Sequence, residues 1–149
     1  MRIALYEPEI PQNTGTLLRT AACLRFGVDI IEPCGFPISD RRLKRAGMDY
    51  IDHVDYTLHP SYANFLEQRS PGRLIYLTPS SSTIYTAFTF RSTDTLLLGR
   101  EADGIPQEIA ADIPQHLSIP MAPPCRSLNV AIAGAIVMAH MRHQLEEDQ

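Results

Sequence analysis

The chain has 149 residues, and its 13 lysines and arginines against 17 aspartates and glutamates give a formal net charge of −4 at pH 7. With 44% hydrophobic and 20% charged residues, it has the composition of a globular protein, and we expect one domain spanning residues 1–149. The acidic balance argues against a general nucleic-acid binder, and the longest uncharged apolar run, residues 130–139, is too short to cross a bilayer.

The first predicted elements are a short apolar strand at residues 2–6 and a helix at about residues 16–26. The segment between them contains two prolines, which interrupt regular pairing, and Asn13 with Thr14 offers a helix N-cap. Glu7 and Glu9 stand where a signal peptide would continue its apolar core, so we expect a cytoplasmic location.

The rest of the chain continues to alternate between the two kinds of element. Strands are predicted in five further segments, at residues 29–32, 52–56, 74–78, 95–98 and 116–119. Helices are predicted at residues 41–46, 61–68, 107–112 and from residue 130 onward, the last with Ser127 as its cap. Short apolar strands that alternate with helices are typical of an α/β fold, so we expect a mostly parallel sheet with helices on both faces.

One stretch of the chain is strongly basic. Four of the thirteen basic residues lie within five positions, at Arg41, Arg42, Lys44 and Arg45. This cluster fits two interpretations equally well, a phosphate-binding patch on an otherwise acidic protein and a solvated helix face. Composition alone leaves that choice open.

The sequence lacks the motifs of several common sites. It has neither the glycine-rich signature of dinucleotide-binding folds nor that of NTPase phosphate loops. Its three cysteines, Cys23, Cys34 and Cys125, show no paired spacing, and we interpret Cys125 as a small loop residue instead of a nucleophile. His140 and His143 share a helix face without a recognisable third ligand, so we expect no metal.

Three polar segments follow predicted strands, at residues 13–19, 99–104 and 119–129. Because ligands of α/β proteins bind outside the carboxyl ends of the strands, these segments together predict a pocket at one edge of the sheet. The third segment leads into the uncharged run 130–139, which we expect to be a helix buried all round. Taken alone, this third segment also fits a capped core helix after a proline turn.

Motifs in these segments resemble the SPOUT class of RNA methyltransferases. They read YEPEIPQNTGTLLRTA, LLLGREADGIP and IPMAPPCRSLNVA, in that order, and the similarity covers nearly the whole chain. The opening motif and the segment IEPCGF…RRLKRAGMDY are most similar to the small, single-domain tRNA (cytidine/uridine-2′-O)-methyltransferases that act on the wobble nucleotide. The resemblance implies S-adenosylmethionine as cofactor, the tRNA anticodon stem-loop as substrate, a C-terminal trefoil knot and a homodimer, without metal or membrane.

The resemblance also implies roles for individual residues. Cofactor contacts fall on Leu77, Gly99, Glu101, Ile119, Ser127 and Leu128. Reaction roles fall on Arg19, Asn13, Ser127 and Asn129, and RNA contacts on Arg41, Arg42, Lys44 and Arg45. Because a guanidinium keeps its proton in proteins, we interpret Arg19 as the group that holds the RNA phosphate and stabilises the developing alkoxide. In a dimer, Arg19 of one subunit can act beside the cofactor that is bound to the other subunit.

The chain departs from the family pattern at two places. Arg100 replaces the proline of the usual Gly-Pro-Glu segment, and Val130, Ala131, Ile132 and Ala139 replace polar residues, so a proton relay through those positions is absent. These losses leave open an RNA-binding protein that has the fold but no turnover. The sequence is also compatible with the same chemistry on a different RNA and with a flavodoxin-like small-molecule binder.

Overall fold

The computed structural model describes residues 1–39, 41, 45 and 48–147. The strands are β1 (Arg2–Tyr6), β2 (Gly27–Ile31), β3 (Tyr56–His59), β4 (Leu74–Leu77), β5 (Thr95–Leu98) and β6 (Gln115–Leu117). The helices are α1 (Pro11–Leu24), α2 (Tyr62–Gln68), α3 (Gln107–Asp112) and α4 (Val130–Glu147), with 3₁₀ turns at Met48–His53 and Tyr85–Ala87. The predicted helix at residues 41–46 lies largely outside the described residues.

The strands form one six-stranded sheet in the order β3-β2-β1-β5-β4-β6, and every pair in it is parallel. Alternate residues of β1 belong to different apolar clusters, because successive side chains point to opposite faces of a strand. Ile3 and Leu5 pack with α1 and α4, whereas Ala4 and Tyr6 pack with α2 and α3. The predicted α/β fold, with a parallel sheet covered on both faces, is confirmed.

The strand predicted at residues 52–56 is wrong. Met48–His53 forms a 3₁₀ turn, and the strand begins only at Tyr56. The buried apolar residues here are Ile51 and Val54, which are three positions apart. That spacing places both side chains on one face of a 3₁₀ turn, where successive turns repeat every three residues.

Helix α1 begins earlier than predicted. Its first residue is Pro11, Ile10 precedes it, and no side chain caps it. Proline is tolerated at the first helical position because the N–H it lacks has no partner within the helix. The predicted cap at Asn13 and Thr14 is therefore wrong, and both residues are buried inside the first turns of the helix.

The cap of α4 is Asn129 and not Ser127. The Asn129 side-chain oxygen accepts hydrogen bonds from the backbone N–H groups of Ala131 at 2.8 Å and Ile132 at 3.3 Å. Its own carbonyl accepts from the N–H of Ala133 at 2.9 Å, which is the first bond of the helix. Asparagine is among the most favourable N-caps because its side chain satisfies such donors.

Helix α4 is only half buried in the single chain, so the expectation of burial all round is wrong at this level. Val137, Met138 and Met141 lie in the core, but Ile132 is 50% exposed and Ala139 is exposed. The helix packs against α1 and the sheet on one side only. The opposite side of the helix, which includes Ile132 and Ala139, is uncharged and exposed in the single chain.

Two further expectations concern the chain as a whole. None of the helices within the described residues is both long and apolar enough to pass through a bilayer. A trefoil knot depends on how the chain threads through its own loops, and strand order does not determine that threading. The knot therefore stays a prediction.

Candidate active site

Two neighbouring strands of the sheet are followed by chain segments that continue toward opposite edges of the sheet. β1 and β5 lie side by side, with Leu5 paired to Leu98, but β1 leads to β2 on one side and β5 leads toward β6 on the other. Ligands of open α/β sheets bind outside the carboxyl ends of the strands, near such a point. A cavity of about 610 Å³, within the size range of small-molecule sites, lies at the carboxyl ends of the neighbouring strands β5 and β4 and reaches the segments after β6 and before α4.

All six predicted cofactor contacts line this cavity. Leu77 and Ile119 belong to its apolar part, and Leu128 lies on the loop before α4. The polar lining includes Asn13 and Asn129 from the predicted reaction group, along with Thr78, Ser80 and Asp103. Residues from three separate parts of the sequence thus converge as predicted, although residues 13–19 reach the cavity as a helix and not as a loop.

The loop after β5 is held in a tight reversal. The N–H of Arg100 donates to the carbonyl of Gly104 at 2.9 Å, and the N–H of Gly104 donates back to Arg100 at 3.1 Å. Gly104 has φ +72°, and a Cβ there would come within 2.5 Å of the Tyr76 hydroxyl oxygen. A Cβ on Gly99 would lie 2.6 Å from the Cα of Gly104. Only glycine fits at both positions, so the backbone itself forms this wall of the cavity.

Glu101 joins the β5 loop to the start of α1. Its carboxylate accepts hydrogen bonds from the backbone N–H of Glu9 at 2.8 Å and of Ile10 at 3.2 Å. These two donors precede α1, where the helix dipole favours a negative charge. In return, the Glu9 carboxylate accepts from the N–H of Ala102 at 2.9 Å. The reciprocal pair fixes the loops after β1 and β5 to each other.

Asn13 extends this network to the third segment. Its side-chain N–H donates to Glu101 at 3.2 Å, and its side-chain oxygen accepts from the Asn129 amide at 2.9 Å. Asn13 is 8% exposed, so its hydrogen bonds are shielded from water. One buried amide therefore connects the β5 loop with the cap of α4.

Arg100 also lines the cavity. Its guanidinium donates to both carboxylate oxygens of Asp103, at 2.8 and 2.9 Å, and to Glu7 at 3.2 Å. Glu7 itself has φ +42°, a conformation that non-glycine residues rarely adopt and that often marks functional sites. The departure from the family pattern at position 100 thus supplies an ion pair between the loops after β1 and β5.

Two groups beside the site keep their protons at neutral pH. Burial and the adjacent Glu7 carboxylate raise the pKa of the Tyr6 phenol to about 12. Burial and the carboxylates of Glu32 and Glu7 raise the pKa of the Cys34 thiol to about 12. Neither group is suited to act as a base or as a nucleophile near neutral pH.

The remaining predicted residues lie away from the cavity. Arg19 is exposed on α1, and its guanidinium carbon lies 4.7 Å from the centroid of the Tyr50 ring. Arg41 and Arg45 are exposed, whereas Arg42 and Lys44 lie outside the described residues. Sequence reasoning missed the role of Glu9 in joining the loops, although Glu9 stands inside the first quoted motif.

The described residues contain no group of three histidine, cysteine or carboxylate side chains arranged to hold a metal ion. His140, one of the two histidines considered from the sequence, packs edge-on against the Tyr85 ring with centroids 5.1 Å apart. Its position is that of a packed aromatic side chain.

The chain is similar to known proteins along almost its entire length. A profile of the SpoU rRNA Methylase family matches residues 1–139. The tRNA (cytidine(34)-2′-O)-methyltransferase of Beijerinckia indica is 48% identical over 145 residues, which cover 96% of this chain and 91% of the relative.

Two solved structures are also similar to the chain. A structure described as giving insights into the 2-OH methylation of C/U34 on tRNA has a TM-score of 0.93 at 42% identity and covers 98% of this chain and 96% of its own. The AdoMet-bound rRNA methyltransferase from Sinorhizobium meliloti has a TM-score of 0.85 at 28% identity and covers 97% of this chain but 56% of its own.

Proposed function

Because this chain belongs to the SpoU rRNA methylase family, we propose that it methylates the ribose 2′-oxygen of the wobble nucleotide, a cytidine or uridine, in tRNA. S-adenosylmethionine is the methyl donor, and residues 1–149 act as one methyltransferase domain. The observation that carries the proposal is the cavity at the carboxyl ends of β4 and β5, where the six residues assigned to the cofactor meet.

The residues that line the cavity fit S-adenosylmethionine. Leu77 and Ile119 offer flat apolar walls for an adenine ring, and the loop closed by Gly99 and Gly104 brings backbone groups close to a ligand. The carboxylate of Glu101 also lines the cavity, where its negative charge suits the ammonium and sulfonium charges of the cofactor. A donor of this shape and charge therefore matches the site.

When bound, S-adenosylmethionine supplies a methyl group on a positively charged sulfur that leaves readily. The protein has to align the 2′-hydroxyl with that methyl and to favour the loss of the hydroxyl proton. The guanidinium of Arg19 carries a positive charge and only hydrogen-bond donors, so it holds the RNA phosphate and stabilises the developing alkoxide. Asn13 and Asn129 act by holding the loops, since their amides already bond to each other, and Ser127 is left to orient the ribose.

The degree of similarity supports tRNA over ribosomal RNA as the substrate. The tRNA-modifying relative is 48% identical to this chain, whereas the rRNA methyltransferase is 28% identical. The anticodon stem-loop is held at the basic segment that includes Arg41 and Arg45, both exposed. The reaction takes place in the cytoplasm, where tRNA is processed.

The protein works as a homodimer that covers the free side of α4. Ile132 is 50% exposed and Leu128, four residues before it, is 39% exposed. Ala139, seven residues after Ile132, lies exposed on the same side of the helix. A second copy would remove this apolar surface from water and would bring Arg19 of one subunit to the cavity of the other.

The direct test is methyl transfer from labelled S-adenosylmethionine to bulk tRNA taken from a strain that lacks this protein, followed by nuclease mapping. Label in a 2′-O-methylated pyrimidine at the wobble position is the expected result. Label at another tRNA position would overturn the target but leave the chemistry. Bound donor without any transfer would instead support an RNA-binding protein that has lost turnover.

A further inference from the structure

We propose that Ile10 is a substrate-binding residue, whose side chain packs against the base of the wobble nucleotide while the ribose of that nucleotide is methylated. The inference rests on the proposed function, because it takes the wobble nucleotide as the target. Ile10 lines the cavity together with the residues assigned to the cofactor.

The side chain of Ile10 is an exposed apolar surface at the site. Six large apolar side chains are exposed within the described residues, and that of Ile10 is 42% exposed. Two of these six, Ile10 and Leu128, line the cavity. An apolar side chain that is open to water at a binding site gains free energy when a ligand covers it. The position of Ile10 therefore indicates a contact with a ligand.

The backbone of Ile10 is held on both sides, so the side chain has a fixed position before RNA binds. Its N–H donates to Glu101 at 3.2 Å, and its carbonyl accepts from the N–H groups of Asn13 at 3.1 Å and Thr14 at 3.3 Å. Pro11 favours the extended backbone that Ile10 adopts, with φ −113° and ψ 113°. Isoleucine is branched at Cβ, which restricts its first side-chain torsion. Binding to such a surface costs little conformational entropy.

Ile10 and the adenine walls belong to different sides of the cavity. Ile10 follows β1, whereas Leu77 is the last residue of β4. Leu5 of β1 and Leu77 both pair with Leu98 of β5, the strand between them. Neighbouring strands are about 4.8 Å apart, so β1 and β4 are separated by roughly 10 Å. The adenine walls Leu77 and Ile119 thus belong to the β4 side of the cavity, and the side that carries Ile10 is left for the methyl group and its acceptor.

The target base is a suitable partner for an apolar side chain. A nucleotide of an RNA loop has to leave its stacked neighbours before its ribose can enter a protein cavity, and its base then loses its stacking partners. The flat face of any base can pack against the protein without regard to sequence. Such packing does not read the donors and acceptors at the ring edge, which distinguish one base from another. A contact of this kind therefore accepts cytidine and uridine alike.

The test measures how two variants of the full-length protein bind two forms of tRNA. Ile10→Ala removes most of the side chain, and Ile84→Ala is the matched control, because Ile84 is 40% exposed but does not line the cavity. One tRNA carries cytidine at the wobble position, and the other keeps the ribose of that nucleotide but lacks its base. With S-adenosylhomocysteine in place of the donor, we expect Ile10→Ala to raise the Kd for the intact tRNA about three- to tenfold and to leave the Kd for the abasic tRNA unchanged. Ile84→Ala should leave both Kd values unchanged.

Further measurements separate a contact with the base from other roles of the side chain. The Kd for S-adenosylmethionine in calorimetry and the sedimentation of the protein should be the same in Ile10→Ala and in the wild type. Ile10→Val removes a single methyl group and should raise the Kd for the intact tRNA less than Ile10→Ala does. With uridine in place of cytidine at the wobble position, the effect of Ile10→Ala should be the same.

The outcomes distinguish this inference from the proposed function. An equal rise in Kd for intact and abasic tRNA, or no rise for either, overturns the contact with the base, while methylation of the wobble nucleotide by the wild type upholds the function. A raised Kd for S-adenosylmethionine would assign Ile10 to the cofactor, and altered sedimentation would assign it to a subunit contact; either result overturns the inference. Absence of methyl transfer by the wild type would overturn the proposed function, and the binding comparison, which needs no turnover, would still decide whether Ile10 contacts the base.

Discussion

The side-chain amide of Asn129 donates a 2.9 Å hydrogen bond to the side-chain oxygen of Asn13, although the two residues are 116 positions apart. Asn129 at the same time caps α4, and Asn13 at the same time donates to Glu101. The hydrogen bonds of Asn13 and Asn129 therefore hold the separate walls of the cavity in fixed relative positions.

Replacing Asn13 with alanine should loosen all of these walls together. The change leaves Glu101 and Asn129 each without one hydrogen-bond partner in a partly buried setting, at a cost of about 1–3 kcal/mol. We expect the Kd for S-adenosylmethionine to rise about tenfold in calorimetric titration, with a lower Tm. Gln12→Ala, one residue away and exposed, is the matched control and should bind normally. Wild-type affinity in Asn13→Ala would show that the loops hold their shape without it.

Replacing Arg19 with alanine should abolish turnover while the affinity for S-adenosylmethionine changes little. Arg19 does not line the cavity of its own chain, so the donor site remains complete, but the alkoxide loses its stabilising charge. Single-turnover methyl transfer and calorimetry on the same samples separate the two effects. Near-normal turnover would remove Arg19 from the reaction.

Two substitutions of Arg100 separate the contribution of its side-chain ion pairs to stability from that of its backbone hydrogen bond. Arg100→Ala removes side-chain ion pairs that are partly exposed to water, so the loss of stability should be small. Arg100→Pro restores the family's usual residue but also removes the N–H that donates to Gly104. We expect thermal unfolding to show a larger decrease in Tm for Arg100→Pro than for Arg100→Ala. The reverse order would mean that the side-chain pairs, and not the loop bonds, hold this segment.

The sequence predicted the parts of the fold that depend on local pattern. The bounds of β1, β5 and α3 agree with the structure, since each is a short run between clear breakers. Motif resemblance predicted six cofactor contacts, and these six residues line one cavity. Nothing in periodicity alone would have brought Leu77 beside Ile119 or Ser127.

The wrong predictions for the start of α1 and the cap of α4 arise because long-range contacts determine these positions. The start of α1 was misplaced because the N–H groups just before the helix are bonded by Glu101, which is 91 positions away from Ile10. Ser127 and Asn129 are both good caps by residue type, and only the contact of Asn129 with Asn13 selects between them. Long-range partners of this kind leave no signal in a short window of sequence.

The three cysteines should differ in their reactivity with a thiol reagent. Cys23 and Cys125 are exposed, but the raised pKa of Cys34, about 12, keeps its thiol protonated across the pH range where ordinary thiols ionise. At pH 8–9 we expect two fast thiols and one slow thiol by absorbance, with the slow rate rising as the pH approaches the Cys34 pKa. Cys34→Ser should remove only the slow phase. Three equal rates would contradict the buried, acidic surroundings assigned to Cys34.

An acidic residue at Ile132 should separate the subunits of the proposed homodimer. Ile132→Asp places a charge in the centre of the apolar side of α4, so sedimentation should show a shift from dimer to monomer. Leu66→Asp is the matched control, because Leu66 is 48% exposed but lies on α2. A monomeric wild type, or a dimeric Ile132→Asp, would place the subunit contact elsewhere or exclude it.

The cavity is built from both ends of the chain, with Asn13 from the first helix and Asn129 at the start of the last one. A polypeptide still emerging from the ribosome has no donor site until α4 has docked onto α1. Binding of S-adenosylmethionine then stabilises only the finished fold, by mass action. Docking of α4 onto α1 and formation of the donor site are therefore a single event in folding.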